Sequence, residues 1–99
     1  MTKDEILTAA IRTFGEKAQE EMAIEECAEL IQAINHKHRG RSNNIPEEIA
    51  DVEIMLEQLK IINNCREIVE HIKNVKIERL KDRILDRLTR IHFGFEVKP

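Results

Sequence analysis

The sequence predicts an all-α fold of four helices, and three observations lead there. Only two prolines and three glycines interrupt the 99 residues. Between them, Leu, Ile, Glu, Lys and Arg fill long runs with helical periodicity. At 41% apolar and 35% charged, the composition suits amphipathic helices around a limited core, and the length suits a single small domain over residues 1–99.

Each helix has its punctuation. Thr2-x-x-Glu5 has the form of a capping box and predicts a first helix over 3–14, interrupted by Gly15. A second covers 16–38 and stops at Arg-Gly-Arg-Ser-Asn-Asn. Asn44, Ile45 and Pro46 mark the start of a third, over 46–63, with the proline in the first turn where its missing N–H costs nothing. Asn64-x-x-Glu67 is placed to cap a fourth over 65–91, followed by a tail, 92–99, whose aromatic Phe93 and Phe95 are available to dock. No apolar run approaches 18 residues and no charged-then-apolar leader is seen, so neither a membrane span nor a signal peptide is expected, and the expected location is cytoplasmic. Cys27 and Cys65 lack metal-site spacing, sit among helical apolar residues, and read as buried free thiols.

The net charge of −3 conceals a polarity. Residues 1–58 hold 13 Asp/Glu against 6 Lys/Arg, whereas residues 59–99 hold 6 against 10. The first part is suited to cations and the second to anions, although such blocks are commonly plain solvated faces.

Within the acidic part, residues 25–29 read Glu-Glu-Cys-Ala-Glu and residues 47–51 read Glu-Glu-Ile-Ala-Asp. At about 100° per residue, Glu48 and Asp51 share the side of helix three that carries Val52, Met55, Leu59 and Ile62. Glu26 and Glu29 likewise lie beside Met22, Leu30 and Ala33, while Glu21 and Glu25 project away. Four acids converging on one interior are prohibitive as bare charges, since each desolvated carboxylate costs several kcal/mol and each raises the pKa of the next. A cation must sit among them. Hard oxygen donors suit Mg²⁺, with Mn²⁺ able to substitute; the competing account is pairing with Lys or Arg across a helix interface. Glu29 lies roughly 14 Å before the end of helix two, so the segment 39–44 must run back along that helix, or the helix must end early, for Glu29 to meet Glu48. His36 and His38 beside this segment read as surface histidines.

In helix four, Ile68, Ile72 and Val75 form one apolar face, continued by Arg79 and flanked by Lys76, Arg83 and Arg90. The apolar stripe then swings to Ile77, Leu80, Ile84, Leu88 and Ile91. Lys76 and Arg79 are candidates to meet a phosphate chain. The alternative is a solvated face on which Asp82 and Asp86 pair with nearby arginines. Nucleic-acid binding is not expected from a chain of negative charge whose basic residues have no interleaved aromatics.

Glu26-x-x-Glu29, an 18-residue spacer and Glu48-x-x-Asp51 resemble the signature of the MazG-like, all-α nucleoside triphosphate pyrophosphohydrolases. The likeness extends to FGEKAQEEMAIEECAELIQAI, ADVEIMLEQL and KNVKIERLKDRI, and so covers roughly residues 13–84. The resemblance implies Mg²⁺-dependent cleavage of a nucleoside triphosphate between its α and β phosphates, giving the monophosphate and pyrophosphate in nucleotide-pool house-cleaning. Glu26, Glu29, Glu48 and Asp51 would be metal ligands and catalytic acids. Lys76 and Arg79 would bind phosphate, and Gln19, on the Glu26 face, is a weaker candidate for nucleotide contact. It also implies a four-helix antiparallel bundle-like core completed by a homodimer or dimer of dimers, in keeping with Ile24, Ala28, Ile31, Ile54 and Ile61, which a four-helix monomer would leave partly wet. The chain departs from the pattern in having no Trp or Tyr for base stacking, leaving Phe14, Phe93 and Phe95. It also has Val52-Glu53-Ile54 where related phosphoribosyl-ATP pyrophosphohydrolases have Leu-Tyr-His. Two other function classes fit the same residues: a non-catalytic Mg²⁺/nucleotide-binding or helical interaction module, and a structural bundle whose inward acids are salt-bridged.

Overall fold

The structure, a computed structural model, describes residues 1–93, the side chains of His92 and Phe93 excepted. The expected tail from residue 94 on, with Phe95, and the Phe93 ring lie outside the described residues. The described chain is all-α, with four helices in two units, Met1–Cys65 and the segment from Arg66 onward.

Thr2 opens α1 (Lys3–Phe14) as the capping box requires. The Glu5 backbone N–H donates to Thr2 Oγ1 at 3.1 Å, and the Thr2 hydroxyl donates in turn to Glu5 Oε1 at 3.2 Å. Gly15 then divides α1 from α2 (Glu16–His38). Its N–H still bonds Ile11 O at 2.9 Å, while its carbonyl accepts the first bond of α2 from Gln19 N at 3.2 Å. One residue serves both helices only by adopting φ 94° and ψ 150°, a conformation essentially confined to glycine.

α2 ends in a Schellman turn. Gly40, at φ 68°, donates to Lys37 O at 3.0 Å and Arg41 N donates to His36 O at 2.8 Å. α3 (Ile45–Ile62) begins with Pro46 in its first turn, as expected, and closes with the same motif. There Asn64 takes the left-handed position at φ 47°, Asn64 N donates to Ile61 O at 3.1 Å, and Cys65 N donates to Lys60 O at 3.0 Å. Asn64 therefore terminates α3 and does not cap the next helix, a correction with a simple cause. Asparagine is the side-chain-bearing residue that best tolerates the left-handed region, and an N-cap needs extended backbone. α4 accordingly starts one residue later than expected, at Arg66, and runs to Phe93.

In the first unit α2 and α3 pack as a helical hairpin, with α1 against both. The buried apolar side chains are few and modest: Leu7 and Ile11 from α1, Ala23 and Ala33 from α2, Val52 and Met55 from α3. The two alanines let α2 approach α3 closely. Buried beside them are three polar side chains, Gln19, Glu48 and Gln58. The opposite side of α2 is apolar and wet, with Ile24 70% and Ile31 61% exposed, and Cys27 belongs to that side. Cys27 is thus an exposed thiol, not a buried one, because it lies about 100° round the helix from Glu26; Cys65 is half-buried, and both are free. Along α4 the apolar residues Ile68, Ile72, Val75, Ile77, Leu80, Ile84, Leu88 and Ile91 are all exposed. No helix among the described residues is long and apolar enough to cross a membrane.

Gly15 gives a direct test of this fold. A Cβ there would meet nothing within 4 Å, so the strain of Gly15→Ala is purely torsional. That substitution should lower stability by about 1–3 kcal/mol, read as a fall in the urea midpoint at unchanged m-value.

Candidate metal centre

The short α2–α3 connection forces the two helices antiparallel, and their facing stripes decide what meets. On α2 the inward positions are Gln19, Ala23, Glu26, Leu30 and Ala33; on α3 they are Glu48, Asp51, Val52, Met55 and Gln58. Carboxylate oxygens of Glu26, Glu29 and Glu48 come within 4.8 Å of one another. Because α2 persists to His38, the connection itself covers the return: Glu48 recovers only about 4–5 Å of the 14 Å by its depth in α3, and the extended residues before Asn44 supply the rest.

The three acids differ in environment. Glu48 is 7% exposed and Glu26 is half-buried, but Glu29, expected to face inward with Glu26, is open to solvent because three residues advance it about 300° and turn it off the buried stripe. Glu48 Oε1 accepts a 2.8 Å hydrogen bond from Asn44 Nδ2. Its other oxygen, Oε2, is buried without a hydrogen-bond partner, and so is Oε2 of Glu26. Asp51, half-buried, lies outside the closest trio, yet its charge bears on both Glu26 and Glu48. The antiparallel register that sets Glu29 against Glu48 puts Glu26 level with Asp51.

Loss of water pushes the Glu26 carboxyl above the usual carboxylate range; the negative charges of Glu29, Asp51 and Glu48, and a hydrogen bond that its protonated form makes with Glu29, push it further. Glu48 is raised by burial first; the Asn44 hydrogen bond opposes this, while the charge of Glu29, a hydrogen bond between the protonated Glu48 and Glu29, and the charge of Asp51 add to it. Within the first unit no Lys or Arg side chain forms an ion pair with any of these acids; its ion pair at 2.9 Å joins Lys60 to Glu57. Two orphaned carboxylate oxygens and an all-oxygen donor set fit a hard divalent cation, which would satisfy both. The donor set does not by itself choose between Mg²⁺ and Mn²⁺.

Two participants were not anticipated from the pattern. Asn44 reads as a helix cap, but its side chain makes no cap bond and holds Glu48 instead. Gln58 is 4% exposed with Oε1 unpartnered; it follows Asp51 by seven residues, two helical turns, and that spacing is the signal that would have found it. The same register places it level with Gln19, itself 7% exposed and two turns before Glu26. His36 is half-buried and His38 exposed. In the second unit Lys76 and Arg79 share an exposed face of α4 with Asp82 and Arg83, lining a shallow open depression. Asp86 pairs with Arg90 at 3.1 Å, as its i, i+4 spacing suggested.

The raised carboxyls give a signed pH dependence. An acid whose folded pKa exceeds its unfolded one contributes stability that is full below the unfolded value of 4.5 and is lost as pH rises through the folded value. The metal-free protein should therefore melt higher as pH falls toward 4.5, and Glu48→Gln should flatten that slope while raising the melting temperature at pH 7. An unchanged slope, or a Glu48→Gln variant less stable than wild type in chelator, would contradict the crowded-acid account. Comparison with known proteins gives no match: no family model fits the chain, and neither a curated protein nor a solved structure matches it.

Proposed function

We propose that the chain is a Mg²⁺-dependent nucleoside triphosphate pyrophosphohydrolase of the MazG type, cleaving between the α and β phosphates. The observation that carries this reading is the meeting of Glu26 and Glu29 of α2 with Glu48 of α3, in which two buried carboxylate oxygens are left unpartnered. Glu29, the most exposed of the three, leaves the site open to solvent and so to a phosphate ligand.

Glu26, Glu29 and Glu48 would hold the ion, with Asp51 as the fourth ligand. Bound there, Mg²⁺ supplies charge neutralisation for the phosphates and orients a water for in-line attack. The chain's own part is to hold the carboxylates in place, to exclude bulk water from Glu48, and to accept the proton of the attacking water at one of them; a bound cation would offset the burial and crowding that raise Glu26 and Glu48. Lys76 and Arg79 are the groups that the resemblance assigns to phosphate, and their exposure on α4 leaves them available. The wet apolar faces, Ile24 and Ile31 on α2 and Ile54 on α3, support self-association into a homodimer or a dimer of dimers. Lacking Trp and Tyr, the protein would hold the base loosely, which suits a house-cleaning role.

The deciding measurement is product analysis over a panel of canonical and modified (d)NTPs with Mg²⁺. Wild type should release pyrophosphate from at least one of them. Glu48→Gln and Asp51→Asn should each reduce the rate by more than about 100-fold, beyond what losses outside the ligand set produce. Orthophosphate as product, or undiminished activity in both variants, would overturn the proposal. No turnover, with Mg²⁺ still raising the wild-type melting temperature, would favour the binding module.

A further inference from the structure

The first turn of α3 contains an asparagine in the position of a cap that does no capping. Thr2, the N-cap of α1, has ψ 164° and a side chain that accepts a backbone N–H; Asn44 has ψ 44° and no such bond. Of the two helical N–H groups an N-cap oxygen normally serves, the second is missing because Pro46 has none, and the third, that of Glu47, receives no bond from Asn44. The first helical N–H, that of Ile45, is met by Asn43 Oδ1 at a long 3.5 Å. The Asn44 amide Nδ2 instead donates to Glu48 Oε1 at 2.8 Å, while the Asn44 carbonyl accepts the Glu48 N–H at 3.1 Å.

We propose that Asn44 is a positioning residue for the cation site, fixing the Glu48 carboxylate so that Oε2 is the oxygen presented to a divalent ion. This rests on reading the acid cluster as a cation site. Glu48 is the most buried of the acids, so its geometry is the least able to adjust by recruiting water. One oxygen is held by a neutral donor that adds no charge to the cluster, and the other, buried and unpartnered, is left with a defined direction. A lysine in place of Asn44 would neutralise the ligand and an aspartate would repel it. An amide does neither, which is the usual chemistry of groups that orient metal-binding carboxylates.

The test is Mn²⁺ binding, followed calorimetrically without nucleotide, to wild type, Asn44→Ala, Asn44→Ser, Glu48→Gln and the Asn44→Ala/Glu48→Gln double variant. Serine keeps the ability to cap a helix but is too short to reach Glu48 Oε1, so it separates capping from positioning. Both Asn44 variants should bind Mn²⁺ about 10–100-fold more weakly. In the Glu48→Gln background the Asn44 change should add nothing, since its effect runs through that carboxylate. Wild-type affinity in both single variants, or a full additional loss in the double variant, would overturn the positioning role while leaving the cation site intact. Failure of wild type itself to bind Mn²⁺ would remove both readings.

Discussion

Like charges crowded into the one well-packed helix contact are the constraint around which the first unit is arranged. α2 and α3 meet through stripes that mix small and apolar side chains, Ala23, Ala33, Val52 and Met55, with the acids Glu26, Glu48 and Asp51, so the carboxylates sit where water is scarce. Repulsion and desolvation act together there, and the response visible in the protein is protonation pressure on Glu26 and Glu48. A divalent cation removes both penalties at once. Site and helix contact are therefore one feature: whatever stabilises the ion also draws α2 onto α3.

This arrangement limits what the core can contribute. Six buried apolar side chains, two of them alanine, share the interior with Gln19, Glu48 and Gln58. Each polar group displaces a leucine or isoleucine that would have contributed roughly 1.5–3 kcal/mol by its burial. Apolar surface that a larger core would have absorbed is instead displayed, on α2 at Ile24 and Ile31 and along the length of α4. A small chain that gives its best-packed contact to charge has reason to find further stability outside itself, in bound ions and in association.

Asparagine does two different jobs at the two ends of α3, and neither is its commonest one. At the start, Asn44 makes no cap bond and its amide holds a carboxylate. At the end, Asn64 enters the left-handed region and closes the helix. Both outcomes follow from competition for backbone donors and acceptors, which is decided within a few residues but depends on where the neighbouring helix begins.

The sequence by itself determined the helices and the inward direction of most of the acids. Breakers and periodicity are local, so Gly15, Gly40 and Pro46 set boundaries to within a residue or so. The 100° advance per residue places Glu26, Glu48 and Asp51 on core-facing stripes, whereas Glu29, expected beside Glu26, is exposed. Tertiary structure decided what those stripes meet. Only the packing of α2 on α3 brings Glu29 against Glu48 and leaves Asp51 outside the closest trio. It also decided which side of α2 stays wet, and with it that Cys27 is exposed. Helical phase is a property of one segment, whereas burial and pairing belong to two, and the relation between them is fixed by a connection whose path no periodicity encodes.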